Sequence, residues 1–295
     1  MSAVNAVDTR GRARGGVRWL RLPVVTRFFK QRLALAALIF VLLMVGVAIF
    51  ASALSPYSPE ATDLQATLQG PSGAHLLGTD DLGHDLLSRM IFGTRTTLLA
   101  AGEATLLAVV AGVPLGMVAG FVGGTVDAAL SRFADALMTF PALLLAVIIV
   151  GLTGPGLTNA MIAIGVVYAP RLFRVCRSSV LSVAPEIYIN ASRTVGCSPA
   201  RVLLRHVMPN ALSPVLVQIS LTMGTAILAE ASLSFLGLGV QPPEASWGSI
   251  LGRAVPFMAS QPIAVLASGV AIALLVLAFN LLGDGLRDSI GRERR

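Results

Sequence analysis

Long apolar runs separated by short charged stretches dominate this chain. The first, Leu33 to Leu54, holds 22 residues without a charge. At ~1.5 Å per helical residue it crosses a hydrocarbon core of ~30 Å. Further runs follow at Thr97–Phe121, Ala136–Leu152, Asn159–Val175, Ser213–Leu236 and Ile263–Leu282. The pattern predicts an all-α integral membrane protein with six transmembrane helices. The third and fourth runs are joined by Thr153-Gly154-Pro155-Gly156-Leu157-Thr158, a turn-forming cluster that predicts a tight helical hairpin. The first run exceeds the ~7–15 apolar residues of a signal peptide and follows a 32-residue basic segment, so it reads as a retained helix.

The chain accordingly divides into a basic N-terminal tail (1–32), the first span (33–54) and an extracytoplasmic segment (55–94). A five-helix core (95–283) follows, with a cytoplasmic loop at 176–212, and then a C-terminal tail (284–295). Composition agrees. Of 295 residues 55% are apolar and only 13% charged, against about a quarter charged in soluble domains. An ionisable side chain at the centre of an inserted helix costs ~2.5–3.5 kcal/mol, which keeps charges between the spans.

Charge also orients the bundle. With the N-terminus inside, 19 of the 22 Lys and Arg residues fall in cytoplasmic segments; only Arg89, Arg95 and Arg253 do not. The positive-inside rule then places both termini in the cytoplasm. Topology accounts for the net +7 better than a nucleic-acid surface does, because no basic face with interleaved aromatics is present. Cys176 and Cys197 form no CxxC pair and fall on the cytoplasmic side, where free thiols are expected.

Several positions inside the spans stand out. Gly112, Gly116 and Gly120 recur every four residues, a smooth ridge for close helix contact, with Pro114 beside it. Gln218, Thr222, Thr225 and Ser232 share one face of the fifth span. They read either as interhelical hydrogen-bonding groups or as a wall of a translocation path. Glu103 and Glu230 are ionisable residues in spans, candidates for a pathway or for pairing between helices.

Enzymatic readings fail on spacing. A phosphate-cradling GxxxxGK[ST] loop needs a lysine after glycine, and the only lysine is Lys30, in Phe28-Phe29-Lys30-Gln31. His75, His84 and His206 show no metal-ligand spacing. Gly70-Pro71-Ser72-Gly73 spells GxSG but lies in a polar loop, with no histidine in any span, and reads as a Pro-Gly turn. An ATP-independent secondary transporter remains the alternative class, although no inverted repeat is evident.

The loop 176–212 has helical punctuation of its own. Residues Pro185 to Val195 begin with a first-turn proline and end at Gly196. Ser198-Pro199 then offers an N-cap and a second first-turn proline, with the second helix expected to end before Met208-Pro209. Two short helices meeting at a glycine form a lever suited to docking.

This loop resembles the EAA motif of ABC importer permeases. Asn190-Ala191-Ser192 stands for Glu-Ala-Ala, Gly196 for the glycine, and His206-Val207-Met208-Pro209 for Ile-x-Leu-Pro. Asn190 replaces the acid, so a rewired contact is expected there. His75 to Asp85, with Gly78-Thr79-Asp80, is similar to a segment of the dipeptide/oligopeptide/nickel permeases. So are Glu230 to Pro243 with Ser246-Trp247-Gly248, and Asn280 to Asp288.

The resemblance implies type I ABC importer permease architecture in a bacterial inner membrane, surrounded by lipid. It implies a second homologous permease, two ATP-binding-cassette ATPase subunits and an extracytoplasmic substrate-binding protein as partners, and no nucleic acid. ATP and Mg would be held by the ATPases, with no cofactor on this chain. Asn190, Ala191, Ser192, Arg193, Gly196, Pro199, Arg205, His206 and Pro209 would dock the ATPase. Trp247 and Glu244 become candidate contacts for the binding protein. The expected cargo is di- or oligopeptides, with nickel, glutathione or another small solute as the alternative.

Overall fold

In a computed structural model of the protein, residues 22–291 are described, and every regular element among them is helical. Residues 1–21 of the basic tail and the last four residues lie outside that range. After α1 (Leu22–Lys30), α2 (Arg32–Ile49) and the single turn α3 (Ala51–Leu54) occupy the first apolar run. In α2 the small Ala34, Ala37, Val41 and Ala48 face the bundle, while Leu33, Ile39, Leu42, Leu43 and Ile49 project outward. A helix apolar on all sides is the kind that lipid solvates.

Residues 55–85 fold as an irregular cap, and α4 (Leu86–Val122) follows, 37 residues long. It starts well before the Thr97 expected from hydropathy. Asp85 provides the start, accepting the Ser88 N–H at 2.8 Å as an N-cap. At Gly123 the chain turns into α5 (Gly124–Thr139), and beyond Phe140-Pro141 lies α6 (Ala142–Thr153).

α5 and α6 meet at 91°, so the continuous third span expected at Ala136–Leu152 is broken. Proline has no N–H for the helix ladder and drives the residue before it out of the helical region; Phe140 is extended, with ψ 139°. α6 alone, at 12 residues, reaches only ~18 Å. Among the described residues five helices are long and apolar enough to cross a membrane, and the bent α5–α6 pair brings the number to six if it is taken as one span.

Next come α7 (Leu157–Val183), the short α8 (Ile187–Thr194) and α9 (Pro199–Val202). A wide turn at Leu203–Val207 leads straight into α10 (Met208–Phe235). α11 (Trp247–Ala254) and α12 (Pro262–Gly291) complete the chain. Two boundaries differ from expectation. α7 continues through 176–183, confining the loop to 184–207, and α12 stays helical over 284–291, a tail by composition.

The glycine ridge of α4 packs on α7. A Cβ on Gly112 would collide with the Ala169 carbonyl, one on Gly116 would lie 2.5 Å from that of Phe173, and one on Gly120 would lie 2.8 Å from that of Arg177. Three carbonyls four residues apart thus seat three glycines at the same spacing, the small-residue packing that serves where lipid offers no hydrophobic drive. α10 runs antiparallel to α12, with the Ser220 hydroxyl donating to the Phe279 carbonyl at 2.9 Å. Gln31 reaches Ser289 at 3.2 Å. The start of α2, the start of α10 and the finish of α12 therefore share one end of the bundle.

Candidate functional site

At that end hangs the α8–α9 hairpin. On the inner face of α8 the Ile189 side chain is fully buried, and Val202 and Val207 anchor the return. The outer side carries Ile187 and Val195, 86% and 84% exposed. Two large apolar side chains thus stand bare on an element pinned from below. Gly196 closes α8 at φ +84°, a conformation that costs an ordinary L-residue about 1–2 kcal/mol.

The resemblance-derived residues take the following positions. Asn190 is exposed, and its amide donates to the Pro185 carbonyl at 3.2 Å, fastening the first turn of α8 where the family places an acid. Ala191 is exposed, and the Ser192 hydroxyl donates back to Tyr188 O at 2.8 Å. Arg193 lies with its guanidinium 5.2 Å above the Phe121 ring, a cation–π contact onto the end of α4. Pro199 opens α9, Arg205 is exposed, and the His206 carbonyl accepts the Asn210 amide at 2.8 Å.

Pro209 does not end a helix as expected. It occupies the first turn of α10, where its missing N–H removes nothing, and the preceding wide turn lets the chain run on helically. Sequence reasoning missed Tyr188, Asn210 and Phe121. Asn210 Nδ2 donates to the Tyr188 hydroxyl at 3.0 Å, tying α8 to α10. Burial, then the nearby Glu186, pushes the Tyr188 hydroxyl above the ordinary phenol range. No local spacing marks residues 22 positions apart as partners.

At the opposite end, the Gly78-Thr79-Asp80 segment forms an ionic cap. His75 lies 2.9 Å from Asp85, and His84 lies 2.8 Å from Asp80. Buried Arg89 faces Asp80 at 3.7 Å and reaches the Pro59 carbonyl at 3.4 Å. Arg253 on α11 grips both oxygens of Asp81 at 3.0 Å. Gln261 donates to the Gln69 carbonyl and Thr79 to that of Ala66. Gly83, at φ +78°, sits where any Cβ would strike the Asp63 carbonyl. The motif therefore joins the start of α4 to α11 and α12.

Trp247 is only 2% exposed, its indole packed on α4 beside Met90 and Gly93, so the ring presents no surface to an outer partner; Glu244 is exposed. Glu230 is fully buried, accepting the Ser234 hydroxyl at 2.8 Å, and Ser234 in turn accepts the Val240 N–H at 3.1 Å. That relay stitches the segment after α10 back onto it.

On α10 the polar face mostly satisfies its own helix. Gln218 donates to Thr222 at 3.4 Å, Thr225 to the Thr222 carbonyl at 2.9 Å, and Ser232 to that of Leu228 at 2.7 Å. The bond across to α7 comes from Tyr168, whose hydroxyl donates to the Thr225 carbonyl at 3.4 Å. Glu103 alone among these candidates is an exposed charge in mid-helix.

Comparison with known proteins places this architecture. Residues 112–295 match the family described as binding-protein-dependent transport system inner membrane component, and residues 23–71 match the N-terminal TM domain of oligopeptide transport permease C. The dipeptide transport system permease protein DppC of Alkalihalophilus pseudofirmus is 42% identical over 261 residues, 88% of this chain and 86% of that one. The glutathione transport system permease protein GsiD of Pectobacterium atrosepticum is 40% identical over 265 residues, 90% of this chain and 88% of its own.

A chain of the MetNI methionine ABC transporter, in an inward-facing conformation, superposes with a TM-score of 0.58. It is 22% identical, covering 69% of this chain and 96% of that one, and the likeness concerns the fold. The chain belongs to the binding-protein-dependent transport system inner membrane components, the permeases of ABC importers. It is a multi-pass membrane transport subunit with the type I importer fold.

Proposed function

We propose that this chain forms half of the translocation pathway of an importer for di- and oligopeptides in a bacterial inner membrane, with both termini in the cytoplasm. A second, homologous permease completes the pathway. Two ATPase subunits bind ATP and Mg below it, and an extracytoplasmic binding protein delivers cargo above. The likeness over nearly the whole chain to permeases named for dipeptide and glutathione carries the substrate class, since both cargoes are short peptides.

α8 supports the coupling part of this reading. Its bare Ile187 and Val195 would enter a groove of one ATPase. Asn210–Tyr188 and Arg193–Phe121 would pass the motion of that subunit to α10 and α4 as packed bodies. Nucleotide-driven closure below would thereby rock the spans between inward- and outward-open states.

Gentle purification of the tagged chain from its host, with mass spectrometry of co-purifying proteins and released small molecules, tests the proposal. Recovery of a second permease, ATPase subunits and a binding protein carrying short peptides is expected. A nickel chelate or another non-peptide solute on that binding protein would replace the peptide assignment, and glutathione would narrow it to that tripeptide. Recovery of the chain alone under conditions that preserve membrane complexes would favour a secondary transporter.

A further inference from the structure

Arg95, Leu99, Glu103, Leu106 and Val110 lie on one exposed face of α4, at spacings that keep them in register over four turns. Neither Arg95 nor Glu103 makes an ion pair or hydrogen bond among the described residues. The two arginines near the α11 end behave differently: Arg89 is buried against Asp80 and Arg253 grips Asp81.

Glu103 is deep. The turn Gly102–Thr105 packs against Met223, with the Thr105 hydroxyl 3.5 Å from its sulfur, and Met223 lies midway along α10. A carboxylate at that depth facing lipid is strongly disfavoured; ionisable residues in spans face a partner group or a water-filled path. α2 shows what a lipid face looks like in this chain, since its outward side chains are all apolar from Leu33 to Ile49.

The geometry points to this face of α4 as a wall of the translocation pathway, with the Glu103 carboxylate as a way-station for the ammonium group of the transported peptide. The second half of the statement rests on the peptide reading. Arg95, eight residues and about 12 Å nearer the α11 end, is placed to meet a carboxylate on the same face. A cation and an anion on one otherwise apolar stripe complement a zwitterion, and dipeptides and glutathione both carry free ammonium and carboxylate groups.

Thiol labelling of the assembled complex in liposomes tests this. Cys176→Ala and Cys197→Ser remove the native thiols. Leu99→Cys and Leu106→Cys then probe the face, and Leu42→Cys on α2 serves as the lipid control. Water-soluble cationic and anionic methanethiosulfonates are compared with a lipid-soluble maleimide. Both α4 sites are expected to react with the water-soluble reagents, and Leu106→Cys, one turn from Glu103 and three from Arg95, roughly fivefold faster with the cationic one. That preference is expected to vanish in Glu103→Gln and to persist in Glu103→Asp, while Leu42→Cys reacts only with the maleimide.

Reaction of the α4 sites with the maleimide alone overturns the pathway face. Equal rates for both charged reagents at Leu106→Cys overturn the ammonium role. Labelling needs no transported substrate, so a wild-type complex that moves no dipeptide would sink the peptide reading and the ammonium assignment, and leave the pathway face standing on its own data.

Discussion

The indole N–H of Trp247 donates to the Met90 carbonyl at 3.0 Å, while the backbone N–H of Trp247 donates to the Thr97 hydroxyl at 3.2 Å. One residue at the start of α11 thus satisfies groups two turns apart on α4. Gly248 allows the approach from the other side, since a Cβ there would lie 2.5 Å from the Ala231 carbonyl of α10. α11 is wedged between two spans, and the Ser246-Trp247-Gly248 motif makes the wedge.

Trp247→Ala is therefore expected to lower stability by about 3–5 kcal/mol, the range for removing a buried aromatic. Trp247→Phe keeps most of the packing and gives up the hydrogen bond, a loss of about 1 kcal/mol. Thermal denaturation of the purified complex in detergent measures both. Unchanged melting with reduced affinity for a binding protein would return the ring to the outer surface.

Spacing on α4 sets a second test. Gly116→Ala places a methyl group 2.5 Å from the Phe173 carbonyl and 2.9 Å from the Cys176 Cβ. Backbone cannot yield there as a flexible side chain would, so destabilisation of about 1–3 kcal/mol is expected. Gly46→Ala on α2 is the control, with nothing within 4 Å of its new methyl. It should be neutral or stabilising by up to ~1 kcal/mol. Equal melting of the two variants would mean that α4 and α7 do not pack through the ridge.

α5 is held to α7 by charge. Asp127 takes Arg177 in a two-pronged contact, with the second bond at 2.6 Å, and Asp135 meets Arg174 at 2.5 Å. Asp127→Arg should cost about 1 kcal/mol through like-charge contact in this partly exposed setting. Adding Arg177→Asp should recover at least half, as judged by melting of the complex. If the single variant melts like wild type, the pair does not fasten the broken span.

Legibility followed the physics of each segment. The apolar runs marked α2, α4, α7, α10 and α12, because hydrocarbon thickness demands length and hydropathy reports it. The early start of α4 was hidden, since Arg89 and Arg95 depress hydropathy there and Asp80 lies across a loop. The bend at Phe140-Pro141 sits in a run that stays apolar throughout, where hydropathy registers no change of direction. Composition equally could not tell a buried Trp247 from an interfacial one. In the hairpin Gly196 was readable, being local backbone chemistry, whereas Tyr188–Asn210 and Arg193–Phe121 depend on helices that meet only in the folded bundle.

Gly196 also makes the sharpest prediction for coupling. A Cβ on it would meet nothing within 4 Å, so size is no obstacle; the constraint is the φ of +84°. Gly196→Asn, which tolerates the left-handed region, should retain most transport. Gly196→Val, small but β-branched, should tilt α8 and pull its Ile189 side chain from its buried seat. Under the proposed function, transport and transport-coupled ATP hydrolysis should then fall together, tenfold or more if ~1.4 kcal/mol of docking is lost, while the protein still inserts. Reconstituted uptake and ATPase assays on the same preparations check this, with membrane yield as the folding control. Matching losses in Asn and Val variants would show that bulk matters and conformation does not. A fully active Val variant would remove α8 from the coupling path.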